Sequence, residues 1–79
     1  MQKLNLTAVI EKDSDGYFAF CPQLQGCYTQ GDTYEEALTN IRDALRLHLE
    51  DRAERGEPLP VVEFVSVTTL EVPYEPSLA

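Results

Sequence analysis

The first third of the chain alternates between apolar and polar residues, as a strand with one buried face does. Over residues 3–12 one face is formed by Leu4, Leu6, Ala8 and Ile10. Residues 13–16 then supply the Asp and the Gly of a type I turn, and residues 17–21 return as the antiparallel partner. The pattern therefore predicts a β-hairpin.

The register of this hairpin decides which aromatic side chains face the core. With a three-residue loop from Ser14 to Gly16, Phe18 and Phe20 join the apolar face of the first strand. A loop one residue longer reverses the assignment, because side chains alternate between the faces of a strand. Under either register the opposite face keeps apolar groups, so we expect a second surface to cover it.

Two breaks and a cap separate the hairpin from a helix. Residues 22–26 are predicted to form a corner with Leu24 pointing inward, since Pro22 cannot donate to a ladder and Gly26 permits a bend. Residues 27–30 follow as a short third strand. Thr33 and Glu36 have the spacing of a capping box, which predicts the start of a helix.

Apolar positions in the following region recur with the 3.6-residue period of a half-buried helix. They are Ala37, Leu38, Ile41, Ala44, Leu45, His48 and Leu49. Gly56 and Pro58 are expected to stop this helix. Residues 61–72 are rich in Val and Thr and carry no helical stripe, so they predict a final strand, longer than its neighbours, whose surplus contacts another subunit.

The predicted fold class is α+β, with a three-stranded antiparallel meander followed by one amphipathic helix and a final strand (β-β-β-α-β). We expect one domain over residues 1–72 and a tail over residues 73–79. A domain of 79 residues buries only about 60% of the surface that its unfolded chain exposes, so its core alone gives marginal stability. Self-association to a dimer or higher oligomer is the simplest way to increase that stability.

The charge of the chain narrows the classes of partner. Fourteen acidic and six basic side chains give a net charge of −8, which disfavours direct binding of nucleic acid and favours a basic protein partner. The alternative is that the charge only keeps the protein soluble. No apolar run reaches the roughly 20 residues of a membrane span, and no signal peptide is visible, so a cytoplasmic protein is expected.

The chain offers little sign of catalysis. His48 is the only histidine and lies on the helical stripe, which favours a packing role. Cys21 and Cys27 lack the spacing of a CxxC motif and are expected to fill small apolar sites. The carboxylates of the first hairpin are explained by turn chemistry and by solvent, so no metal, cofactor or catalytic residue is predicted.

The same carboxylates, with nearby tyrosines as anchors, are the candidate surface for a basic partner. The candidate partner-binding residues are Glu11, Asp13, Asp15, Tyr17, Tyr34 and Glu35.

A series of spaced motifs resembles the HicB family of antitoxins over about residues 3–55. The motifs are Gly16-Tyr17, Ala19, Pro22-x-Leu24-x-Gly26-Cys27, Gly31-Asp32-Thr33-x-Glu35-Glu36-Ala37 and Asn40-Ile41. The resemblance implies a partial ribonuclease-H-like fold that lacks the catalytic carboxylates of the nuclease. It also implies a partner, HicA, which is a small basic toxin that cleaves messenger RNA.

The motif positions carry over as turns and caps, with one departure at Gln25, where the family usually has a second proline. Many family members continue into a DNA-binding domain, whereas this chain ends at Ala79, so the resemblance leaves operator binding open. The leading hypothesis is an antitoxin-like protein that neutralises a HicA-type toxin by protein contact. The alternatives are an orphan homo-oligomeric module with a small-molecule or unrelated protein partner, and a metal-dependent nuclease using Glu11 and Asp13.

Overall fold

A computed structural model describes residues 3–60 and 65–77 of the chain. Within these residues three strands precede one helix, and the α+β class is confirmed. The strands are β1 (Val9–Asp13), β2 (Gly16–Phe20) and β3 (Tyr28–Gly31), and the helix is α1 (Tyr34–Glu54). The strands form an antiparallel meander in the order β1-β2-β3.

The predicted hairpin register is wrong. Asp13 pairs with Gly16 and Ile10 pairs with Ala19, so the loop has two residues and not three. Because directly opposed residues share a face, Ala19 lies on the core side with Ile10, and Phe18 and Phe20 lie on the opposite side. The expected sharing of one face by Ile10, Phe18 and Phe20 does not occur.

The core lies between the helix and the inner face of β2 and β3. Its fully or nearly buried members are Ala19, Cys21, Leu24, Cys27, Ala37 and Ile41. Small residues meet at its centre, since Ala19 and Ala37 are both 0% exposed. A phenylalanine at position 19 would hold the helix away from the sheet, which explains why the register places alanine there.

The corner between β2 and β3 closes on itself through the backbone. The Leu24 amide donates to the Cys21 carbonyl at 3.2 Å, and the Cys27 amide donates to the Leu24 carbonyl at 3.3 Å. These bonds turn Leu24 into the core, where it is 1% exposed, as the sequence predicts. The third strand begins at Tyr28, one residue later than expected.

The Thr33 cap of the predicted capping box is confirmed, whereas the Glu36 carboxylate accepts from the amide one residue before Thr33 and not from that of Thr33 itself. The Glu36 amide donates to Thr33 Oγ1 at 3.0 Å, and the Asp32 amide donates to Glu36 Oε1 at 3.2 Å. One free amide of the first helical turn and the amide just before the cap residue are thereby satisfied by side chains. The box fixes where the helix begins and how it leaves β3.

Removing this cap is expected to lower the free energy of unfolding. Thr33→Ala loses the hydroxyl that accepts from the Glu36 amide, which costs about 1 kcal/mol. Chemical denaturation monitored by circular dichroism measures the change. Thr33→Ser keeps a hydroxyl and is the matched control, and equal losses in both variants would contradict the capping role.

The helix ends at a glycine, as predicted. Gly56 has φ +70°, its amide donates to the Ala53 carbonyl, and the Glu57 amide reaches back to the Arg52 carbonyl at 2.9 Å. This is the Schellman arrangement, in which the chain reverses direction as the helix stops.

The predicted final strand is not part of the described sheet. Residues 61–64 lie outside the described residues, and residues 65–77 form no regular secondary structure. Their apolar side chains are largely exposed, with Val67 at 72% and Leu70 at 74%. In the described part of the chain, no helix combines the length and the apolar character needed to cross a membrane.

Candidate functional site

The start of the helix and the turn of the first hairpin meet at one end of the sheet. Because β3 is antiparallel to β2, it ends where β2 begins, and Gly31 pairs with Tyr17. A side chain at Gly16 would come within 3.1 Å of the Gly31 carbonyl oxygen, which shows how closely the two segments approach. Two acidic segments that are distant in sequence thus become neighbours.

A cleft of about 350 Å³ opens at this end. Four carboxylates line it, and we refer to it as the acidic cleft. Its lining residues are Asp13, Asp15, Gly16, Tyr17, Phe18, Gln30, Gly31, Asp32 and Glu36. The carboxylates therefore surround a concave surface whose lining also includes two aromatic residues.

Backbone amides hold two of the four carboxylates in place. Asp13 Oδ1 accepts from the Asp15 amide at 2.8 Å, and Glu36 Oε1 accepts from the Asp32 amide. The positive end of the helix dipole lies beside this group and stabilises negative charge there. By contrast, no hydrogen bond involves the side chains of Asp15 and Asp32 within residues 3–60 and 65–77.

The acidic cleft carries negative charge without a cation to neutralise it. In the described part of the chain, none of its four carboxylates takes part in an ion pair. The Lys12 Nζ lies 5.9 Å from the centre of the ring of Tyr17, a lining residue, and forms no ion pair with these carboxylates in the described part of the chain. At the far end of the helix the arginines do form ion pairs, Arg46 with Glu50 and Arg55 with Asp51. Four carboxylates without ion pairs therefore share one concavity, whereas Glu50 and Asp51 near the end of the helix are each paired with an arginine.

The structure brings together some of the candidate residues from the sequence and leaves others outside. Asp13, Asp15 and Tyr17 line the acidic cleft. Glu11 is exposed and pairs with Phe18 on the outer face of the sheet. Tyr34, which is 49% exposed, and Glu35 begin the helix but are not part of the lining.

Asp32 and Glu36 were missed as candidate site residues, although both carry carboxylates into the cleft. Sequence reasoning assigned Glu36 only to the capping box. The signal that points to both residues is the strand order, since a three-stranded meander places the end of its third strand beside the first hairpin turn.

The outer face of the sheet carries three aromatic side chains that the helix does not cover. Phe18 and Tyr28 stack with ring centres 5.7 Å apart, and Phe20 lies 6.3 Å from Tyr28. Tyr28 is 59% exposed. Phe18 belongs both to this aromatic face and to the acidic cleft.

The cysteines and the histidine lie away from the cleft. Cys21 and Cys27 are free and buried beside each other, with the Cys21 amide donating to the Cys27 carbonyl. Burial, with a smaller contribution from Cys21, raises the pKa of the Cys27 thiol, which lowers its nucleophilicity at neutral pH. His48 is half-buried on the helix. Among the described residues, no three His, Cys, Asp or Glu side chains are placed to hold a metal ion.

The fold and the cleft define a small α+β domain whose distinguishing surface is an unneutralised acidic concavity. Comparison with known proteins is consistent with this class. The family model described as "HicB_like antitoxin of bacterial toxin-antitoxin system" matches residues 6–77. The chain belongs to this family of HicB-like antitoxins.

Several relatives share its sequence. A UPF0150 protein of Synechocystis sp. is 45% identical over 65 residues, covering 81% of this chain and 82% of the relative. One of Helicobacter pylori is 61% identical over 46 residues, covering 58% and 64% respectively. One of Thermoplasma acidophilum is 43% identical over 58 residues, covering 72% and 84%. No solved structure matches the chain.

Proposed function

We propose that this protein neutralises a small basic toxin of the HicA type, in the cytoplasm, by binding it at the acidic cleft. The observation that carries the proposal is the concentration of four carboxylates without ion-pair partners around one concavity in a protein of antitoxin family. Membership in that family indicates a binding role rather than a catalytic one, and it implies a toxin as partner.

The cleft suits a cationic side chain better than a small neutral ligand. A lysine or arginine entering it approaches Asp15 and Asp32, whose carboxylates are free to accept hydrogen bonds. Tyr17, a half-buried aromatic residue of the lining, supplies apolar contact for the alkyl part of such a side chain. Charge and shape therefore favour the same occupant.

A toxin that cleaves messenger RNA must itself carry basic surface to hold the phosphate backbone. An acidic protein that covers this surface competes directly with the RNA. Inhibition then requires no chemistry by the antitoxin, and electrostatic attraction speeds the encounter. This mechanism uses the cleft only as a binding surface.

Co-expression tests the proposal. The protein is expressed with the product of the neighbouring toxin-like reading frame, and we expect the two to co-purify and growth arrest by the toxin to be relieved. A variant that carries both Asp15→Lys and Asp32→Lys is expected to lose co-purification with the toxin and relief of the growth arrest. A toxin that is bound equally well by this variant would contradict the site, and absence of any toxin partner would favour an orphan binding module.

A further inference from the structure

Residues 65–77 leave the body of the molecule instead of packing on it. Val67, Leu70, Val72 and Tyr74 are 71–82% exposed. The radius of gyration is 16.0 Å, against about 12 Å for a compact chain of this length, and the longest dimension is 54 Å. These four apolar side chains are therefore presented largely to solvent.

The segment carries two apolar residues on each face when it is extended, alongside Ser, Thr and Glu. In an extended chain Val65 and Val67 lie on one face, and Leu70 and Val72 lie on the other. A strand that is apolar on both faces needs cover on both. Within one chain the helix covers only the inner face of the sheet, so adding this strand to its own sheet would leave one apolar side in water.

The sheet offers one open edge for such a strand. β3 is blocked in part, because Asn40 Nδ2 donates to the Gln30 carbonyl at 2.7 Å and the helix starts directly beside Gly31. β1 pairs only with β2 among the described residues, so its second row of backbone donors and acceptors faces outward. The edge of β1 is thus the surface able to form a new ladder.

We propose that residues 65–72 of each chain add as a strand to the β1 edge of a second copy, so that two chains exchange strands reciprocally. Donor segment and acceptor edge belong to the same sequence, and a two-fold axis satisfies both at once. The second copy also supplies the apolar cover that one chain lacks. This inference goes beyond the proposed function, since it concerns a surface outside the acidic cleft.

Light scattering and sedimentation of the full chain test the assembly. We expect a dimer at micromolar concentration, and we expect Leu70→Asp to raise its dissociation constant by at least about tenfold, because the charge must be desolvated in the ladder. Leu47→Asp is the matched control, since Leu47 is an exposed leucine on the helix, at 56%. Circular dichroism confirms that each variant keeps the helix.

Nuclear magnetic resonance on a mixture of isotope-labelled and unlabelled chains identifies the mode of pairing. Contacts between residues 65–72 of one copy and Val9–Asp13 of the other support strand exchange. Contacts confined to one chain, a dimer that Leu70→Asp leaves intact, or a monomer at micromolar concentration would each overturn it. None of these results depends on a toxin, so the proposed function is tested separately.

Discussion

Gly31→Ala is expected to lower the free energy of unfolding by about 3 kcal/mol. A methyl group at this position would lie 2.5 Å from the backbone nitrogen of Ala37 and 3.0 Å from its Cα. Both neighbours are backbone atoms, so no side chain is able to rotate away. The helix and β3 must separate, and the packing of Ala37 and Ile41 is weakened with them.

The sign of this effect depends on the steric contact. Replacing a glycine by alanine reduces the entropy of the unfolded chain and by itself stabilises a protein by about 0.4–1 kcal/mol where the backbone permits. Gly31 is not among the glycines with positive φ, so without the contact the change would stabilise the fold. The steric cost must exceed that gain.

Urea denaturation of the wild-type chain and of Gly31→Ala measures the difference. Gly56→Ala is the control, because a methyl group there meets nothing within 4 Å and only the positive φ of +70° is strained. Its expected cost is about 1 kcal/mol. An equal loss in the two variants would show that the approach of the helix to β3 does not determine the stability.

Reversing two charges in the acidic cleft is expected to weaken binding of a basic partner by about a hundredfold. Asp15→Lys and Asp32→Lys together change the net charge from −8 to −4, since each substitution adds two units. Like charges brought together at an interface cost several kcal/mol, which is sufficient for this loss. Isothermal titration calorimetry with the toxin measures the dissociation constant.

The fold should tolerate this change. The hydrogen bonds at these two positions use the backbone amides, which lysine retains. Relief of repulsion among carboxylates offsets the loss of an acidic residue near the helix start, so the free energy of unfolding should change by less than about 1 kcal/mol. Loss of binding would then report on the surface and not on folding.

A matched variant separates local charge from total charge. Asp43→Lys with Glu54→Lys also gives −4 but changes exposed helical positions outside the cleft. We expect its affinity to fall by less than tenfold. If both double variants weaken binding equally, the overall charge of the protein is responsible and the acidic cleft is not a specific site.

The start of the helix could be predicted from the sequence because it depends on bonds between neighbouring residues. The hairpin register could not, because it depends on packing against the helix. Thr33 Oγ1 accepts from the Glu36 amide and Glu36 Oε1 accepts from the Asp32 amide, so both bonds form within one turn of the chain. The spacing of these residues in the sequence was therefore sufficient to predict where the helix begins. The turn after Asp13 is compatible with more than one loop length, and the observed two-residue loop is selected by the helix, which requires Ala19 beneath it. That requirement is a tertiary contact and leaves no local signal.

The candidate site was predicted in part for a similar reason. The carboxylates of the hairpin were recognised from one segment of sequence, whereas Asp32 and Glu36 join them only because the meander returns β3 to the same end of the sheet. The cleft depends on strand order, which becomes visible once all three strands are placed.

The uneven distribution of charge along the helix has a consequence for how a partner arrives. α1 spans about 30 Å, with the unpaired carboxylates of the acidic cleft beside its start, whereas ion pairs with Arg46 and Arg55 neutralise Glu50 and Asp51 toward its end. This arrangement gives the molecule a permanent dipole moment. A cationic protein approaching in dilute salt exerts a torque on that dipole and turns the carboxylate end toward itself before contact. Most collisions would therefore begin in an orientation that already suits binding.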